Sequence, residues 1–192
     1  MENEILDRVK QAVKGWDVPL PEVAEYGWEG DAVENFRYHL QSFDGRSEVF
    51  ATREEALAWL CEELGKRGDK RVFSSIAEIP GNISAEEVRD PHNAAAVDLN
   101  VTEALLGVGE MGSLWVTDES LIEPACALLA CELYILIDRK KIVAGMHEAY
   151  SSIDLDGIRY GSFFTGPSAT ADIEAVHITG AQGPLSLTAL IY

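Results

Sequence analysis

The stretch GVGEMGSLWV, Gly107 to Val116, governs how the chain is read, because its first six residues spell Gly-x-Gly-x-x-Gly and an apolar run follows. A dinucleotide fingerprint needs a strand before the first glycine and a helix after the last, since the helix N-terminus and its free N–H groups hold the pyrophosphate. Here the order is reversed. Val101, Ala104, Leu105 and Val108 precede the turn at helical spacing, and Leu114, Trp115 and Val116 follow it as a strand-like run. The spacing therefore predicts a helix that stops at the glycines, then a tight turn into a buried strand. No acidic partner for a ribose can be assigned, and binding of a nicotinamide dinucleotide is not expected.

On either side of this stretch, short apolar runs alternate with helical segments: SEVFA, KRVFSS, SLWVT, ELYILI, GSFFTG and SLTALIY. That alternation predicts an α/β fold with a mostly parallel sheet. Thr52 and Glu55 form a capping box for a helix whose Leu57, Leu60, Cys61 and Leu64 share a face and which Gly65 can stop. Ser84 with Glu87 forms a second box shortly before Pro91. Asp138 can cap a helix over RKKIVAGMHEAYSSI, with Ile142, Met146, Ala149 and Ile153 on one face. Ahead of the sheet, Ile5, Leu6, Val9, Ala12 and Val13 mark one amphipathic helix. Val33, Phe36, Leu40 and Phe43 mark another, after a break at WDVPLPEVAEYGWEG. The expected division is a helical arm over residues 1–45, packed on an α/β domain over 46–192.

Composition bounds the function. With 15 basic and 33 acidic residues the formal charge is −18, a field that repels nucleic-acid backbones and anionic membrane surfaces. The opening MENEILDRVK carries charges where a signal peptide needs an apolar run, and no stretch approaches the ~20 apolar residues of a membrane span. A cytoplasmic protein is expected. Cys61, Cys126 and Cys131 show no Cys-x-x-Cys spacing, so neither a disulfide framework nor a zinc or iron–sulfur site is expected on this chain, and the thiols read as buried and free. His39, His92, His147 and His177 lack ligand spacing, so no metal is expected. Trp115 and Tyr134 lie in strand-like runs and read as core.

The chain closes on FFTGPSATADIEAVHITGAQGPLSLTALIY. Gly166 and Pro167 allow a sharp turn after a strand, and Ser168 and Thr170 offer hydroxyls near free backbone N–H groups, a combination able to cradle a small anion. If GSFFT is a strand of the sheet, the turn falls outside the carboxyl ends of the strands, where ligands bind in open α/β sheets. Asp172 and Glu174 serve equally as local caps. Glu110, between glycines, could expose its carboxylate as a base or nucleophile, or stand as a solvated turn residue.

Together, VDLNVTEALLGVGEMGSLWVTD and the closing segment resemble the LUD-domain proteins of the lactate-utilization protein C type. Gly166, Pro167, Ser168, Thr170, Ala171, Asp172, Ile173 and Glu174 match that family's closing Gly-Pro-Ser-x-Thr-Ala-Asp-Ile-Glu motif. Glu110, Gly112 and Ser113 match its Ala-Glu-Thr-Gly-Thr/Ser turn, with Gly109 and Met111 replacing alanine and threonine. Ala169 stands where the family usually has arginine, and Ala181 with Gln182 precedes Gly183 and Pro184 where His-Gly-Pro is usual. Arg139 to Lys141 is then the only dense basic cluster left, unless it is a solvated helix start.

The resemblance implies a three-layer α/β/α fold of the ribose-phosphate isomerase and CoA transferase kind. It also implies oxidation of L-lactate to pyruvate, with iron–sulfur clusters on partner subunits and no cofactor on this chain. The implied ligand site comprises Gly112, Ser113, Gly166, Ser168, Thr170, Asp172 and Glu174, with Glu110 in any chemistry, and the two segments are expected to meet in one pocket. A free-standing enzyme acting on a phosphorylated or CoA-linked small molecule is the alternative, and a scaffold that has lost its site is a third reading.

Overall fold

The computed structural model describes residues 2–15, 30–68, 70–172 and 174–192. In chain order the elements are α1 (Glu2–Ala12), α2 (Ala32–Ser42), β1 (Arg46–Val49), α3 (Arg53–Gly65), β2 (Val72–Ser74), α4 (Pro91–Ala94), β3 (Leu99–Glu103), β4 (Leu106–Val108) and β5 (Ser113–Thr117). There follow α5 (Asp118–Leu121), α6 (Pro124–Leu129), β6 (Glu132–Ile137), β7 (Ile142–Val143), α7 (Met146–Ser152), β8 (Gly161–Phe164), β9 (Ala169–Thr170), β10 (Ile178–Thr179) and β11 (Ser186–Ile191). Every apolar run read as a strand is one.

Five strands form a parallel sheet in the order β1-β11-β6-β3-β2, with β6 at its centre. A parallel sheet must be covered on both faces, and side-chain alternation sorts β6 accordingly. Tyr134 and Leu136 face one side, with Leu99 and Val101 of β3 and Leu60 of α3. Leu133, Ile135 and Ile137 face the other, against Phe36 and Leu40 of α2, Val116 of β5, Leu121 of α5 and Ala127 of α6. Trp115 and Tyr134 are buried, as their strand positions predict. To the expected α/β architecture the structure adds a second, four-stranded sheet on this second face, in the order β7-β4-β5-β8.

That second sheet overturns the helix predicted ahead of Gly107. Residues 99–108 form β3 and β4 instead, and β4 pairs antiparallel with β5, Leu106 opposite Trp115 and Val108 opposite Ser113. A short apolar run has no decisive period, and here pairing between β2 and β6 decides, since Leu99 and Val101 on one face and Asn100 and Thr102 on the other are all buried. Gly107 thus lies within β4, and Gly109 and Gly112 belong to the turn that connects it to β5. The long helix predicted over RKKIVAGMHEAYSSI is likewise divided into a 3₁₀ turn over Arg139–Lys141, then β7, then α7. Pairing of β7 with β4, Val143 beside Val108, ends the helix possibility there.

The capping signals read at Thr52 and Ser84 act where the sequence puts them, Asp138 caps the 3₁₀ turn over Arg139–Lys141 instead of a long helix, and the structure adds a cap at Asp31. Asp31 caps α2, accepting from Val33 N–H at 2.9 Å and Glu34 N–H at 3.1 Å. Thr52 Oγ1 accepts from Glu55 N–H at 3.3 Å, and α3 ends at Gly65. Ser84 and Glu87 exchange bonds at the start of a 3₁₀ turn over Glu87–Arg89. The thiols need correction: Cys126 is buried, but Cys61 and Cys131 are exposed, because α3 buries Ala56 and Leu60 and turns Cys61 outward.

Candidate functional site

The two motif turns come together on α2. A Cβ on Gly112 would lie 2.2 Å from the backbone nitrogen of Leu40, and one on Gly166 would lie 2.1 Å from the carbonyl oxygen of Phe43. Both residues have positive φ, 62° and 67°, so the turns admit the end of α2 only as glycine. Ser113 and Thr165 join the segments directly, hydroxyl to hydroxyl at 2.5 Å. The Glu110 carboxylate is committed elsewhere: Oε2 accepts from Met146 N–H at 2.9 Å, at the start of α7, while its own N–H donates to Ala144 O at 2.9 Å.

The rest of the closing motif lies on a different part of the surface. β8 belongs to the second sheet and runs antiparallel to β5, so the turn after Phe164 comes back to the amino ends of β6 and β11. Ser168 N–H donates to Pro184 O at 2.8 Å, its hydroxyl donates to Gln182 O at 3.0 Å, and Leu185 N–H donates to Cys131 O at 2.8 Å. Thr170 Oγ1 donates to Asp172 Oδ2 at 2.6 Å, Glu174 has φ 56°, and β9 pairs antiparallel with β10 in an exposed hairpin rather than opening a helix. Among the described residues Glu110 makes no hydrogen bond to Ser168, Thr170, Asp172 or Glu174.

The carboxyl ends of the parallel strands carry a cleft of about 410 Å³. Its walls come from Arg53 after β1, the Ser75–Glu78 turn after β2, Glu103 to Leu105 after β3, Glu119 and Ser120 of α5, and Lys141 beyond β6. The chain leaves β2 toward α4 and leaves β3 toward the second sheet, and such a divergence of connections is where open α/β sheets leave room for ligands. The volume is that of a small-molecule site.

One wall is a tight polar network. Arg53 Nη1 donates to both carboxylate oxygens of Glu103 at 2.8 Å and to the Tyr192 hydroxyl at 2.9 Å, and that hydroxyl donates to Glu103 Oε1 at 2.6 Å. The guanidinium also stands over the Tyr192 ring, 5.4 Å from its centre, and reaches Glu78 at 3.5 Å. Burial pushes the Tyr192 phenol up to about 12, and its bond to the Glu103 carboxylate pushes the same way. Burial works against the Arg53 charge, but the hydrogen bond and charge of Glu103 outweigh it and raise the pKa. Ser75 donates to Thr102 Oγ1 at 3.0 Å and Thr102 donates to Ser120 O at 2.8 Å, which ties the β2 turn, β3 and α5 into one frame.

Lys141 differs from Arg53. It is exposed on the rim and has no ion-pair partner among the described residues, so its ammonium is available to an anion. Glu78, Glu103 and Glu119 make the same cleft unfavourable for a multiply charged anion. Sequence reasoning missed Arg53, Ser75, Glu103, Ser120 and Tyr192, because reading Val101 to Val108 as a helix hid the fact that Glu103 ends a central strand. Only the basic cluster at Arg139 to Lys141 pointed toward this end. Among the described residues no group of three or more His, Cys, Asp or Glu side chains converges to hold a metal ion. No helix among them is long and apolar enough to cross a membrane.

The family model described as LUD domain matches residues 2–192. A solved structure described as a DUF162 family protein from Deinococcus radiodurans is similar in fold, with a TM-score of 0.62 and 16% identity over 83% of this chain and 95% of that one. No curated protein matches.

Proposed function

The chain belongs to the LUD-domain family, and from that membership we propose that it is the ligand-binding, accessory subunit of an L-lactate utilization system of the lactate-utilization protein C type. The observation that carries the reading is the carboxyl-end cleft, which joins an uncommitted ammonium, Lys141, to an ordered polar wall built from Arg53, Glu103 and Tyr192. A 2-hydroxy carboxylate suits it: the single negative charge pairs with Lys141 and the hydroxyl donates to a carboxylate of the acidic wall. Lactate gives up two electrons and two protons in becoming pyruvate. Iron–sulfur clusters on partner subunits would take up the two electrons and solvent the two protons, since among the described residues no group of three or more His, Cys, Asp or Glu side chains converges on this chain.

Reconstitution with iron–sulfur partner subunits tests this. Lactate-dependent reduction of an artificial electron acceptor is expected to require this chain and to fall about tenfold or more with Lys141→Ala, the loss of one charge-assisted contact of at least ~1.4 kcal/mol. Full activity without the chain would overturn the proposal.

A further inference from the structure

The parallel sheet has two edges, and the chain treats them differently. Beside β2 lies the Asn82–Ile83 segment: Val72 O accepts from Asn82 N–H at 3.0 Å and Ile83 N–H at 3.2 Å, Val72 N–H donates to Asn82 Oδ1 at 2.7 Å, and Phe73 pairs with Ile83. The opposite edge, β1, has no such cover among the described residues. Phe50 N–H donates to Ile191 O at 2.8 Å, so by the alternation of a strand Arg46 and Glu48 turn their backbone groups inward to β11, and Ser47 and Val49 turn theirs outward. Those outward N–H and C=O groups have no hydrogen-bond partner among the described residues, and Arg46, Glu48 and Val49 are exposed. An exposed row of unpaired backbone groups is a template for another strand.

The side chains decide which strand. Arg46 lies beside Thr188 and Glu48 beside Leu190, which places both charges on the α3 face of the sheet. Ser47 faces the other way, its hydroxyl accepting from Arg37 Nε of α2 at 3.3 Å. Neither Arg46 nor Glu48 has an ion-pair partner among the described residues. Charges of one sign along an edge keep a second copy away, but these two are of opposite sign, two residues apart on one face. Two β1 strands set antiparallel about a two-fold axis at Ser47 put Arg46 of each copy directly opposite Glu48 of the other. Centring the axis on Arg46 or on Glu48 sets like against like. The backbone favours the same register, because at Ser47 the outward groups of the two copies meet and exchange both N–H···O=C bonds. We infer that β1 is a self-association edge: two copies of the chain pair their β1 strands antiparallel about Ser47, joining two five-stranded sheets into one across an isologous interface.

Sedimentation velocity on the full chain over a concentration series tests the pairing. The wild type is expected to show reversible monomer–dimer exchange. Ser47→Pro removes an N–H that points out of the sheet, so it is expected to keep the fold and to stay monomeric. Arg46→Glu and Glu48→Arg each set like charges together and are expected to dimerise about tenfold more weakly or worse. The exchanged variant Arg46→Glu/Glu48→Arg is expected to dimerise as the wild type does, and an equimolar mixture of the two single variants is expected to form the heterodimer. A wild type that stays monomeric at every concentration overturns the inference. So does a Ser47→Pro or single-reversal variant that dimerises as well as the wild type, or an exchanged variant that stays monomeric while keeping the wild-type melting temperature.

Discussion

Replacing Gly112 by alanine separates two costs that the fold imposes on one residue. At φ 62° an alanine pays the left-handed penalty of roughly 1–2 kcal/mol. Its Cβ would also sit 2.2 Å from Leu40 N and 2.7 Å from Leu40 Cα. Both are backbone atoms of a helix whose Leu40 side chain is fully buried, so α2 itself has to move, and overpacking of that kind costs about 1–3 kcal/mol more. Gly68 is the control: its φ is 64° and a Cβ there would meet nothing within 4 Å among the described residues, so Gly68→Ala carries the backbone penalty alone. Urea denaturation of both variants reads the difference. Gly112→Ala is expected to lose about 2–5 kcal/mol and Gly68→Ala about 1–2 kcal/mol, with melting temperatures falling roughly 2–4 °C per kcal/mol for a chain of this size. Equal losses in the two variants would show that α2 does not press on the turn, and the account of the glycine motif as a seat for α2 would fail.

Other outcomes follow from single observations. Glu110→Ala is expected to cost about 1 kcal/mol, through loss of its bond to Met146 N–H, and to leave the proposed lactate-dependent activity intact; a large activity loss at unchanged stability would place Glu110 in the chemistry. Asn100 is 1% exposed and both polar atoms of its amide lack partners among the described residues, so Asn100→Leu is expected to raise the urea midpoint by the equivalent of about 1 kcal/mol. In thiol titration of the native protein, Cys61 and Cys131 are expected to react and Cys126 only on unfolding, since burial pushes its thiol up to about 12. The Tyr192 phenol is raised from 10 to about 12, so the folded state favours its protonated form. Its contribution to stability is complete below pH 10 and is lost as pH rises toward 12, which comparison of unfolding against pH for wild type and Tyr192→Phe will detect.

Features with local causes were legible in the order of the amino acids. Capping at Thr52, Ser84 and Asp138 is chemistry within four residues, and each cap formed. ELYILI and SLTALI read as strands from their short apolar runs, and as β6 and β11 they are neighbours in the parallel sheet. The closing motif was enough to anticipate the family that the domain match bears out. Features that depend on neighbours distant in sequence emerged only on folding. LNVTE became a strand because β2 and β6 offer it hydrogen bonds on both edges, which outweighs a helical spacing over so few residues. Ile142 and Val143 became a strand because β4 lies beside them. The glycines of GVGEMG gained their purpose only from α2, far upstream, whose backbone comes so close to Gly112 that no side chain fits. The cleft is of the same kind: Arg53, Glu103 and Tyr192 are joined by bonds spanning 50, 89 and 139 positions, and nothing shorter than the folded sheet brings those three side chains within reach.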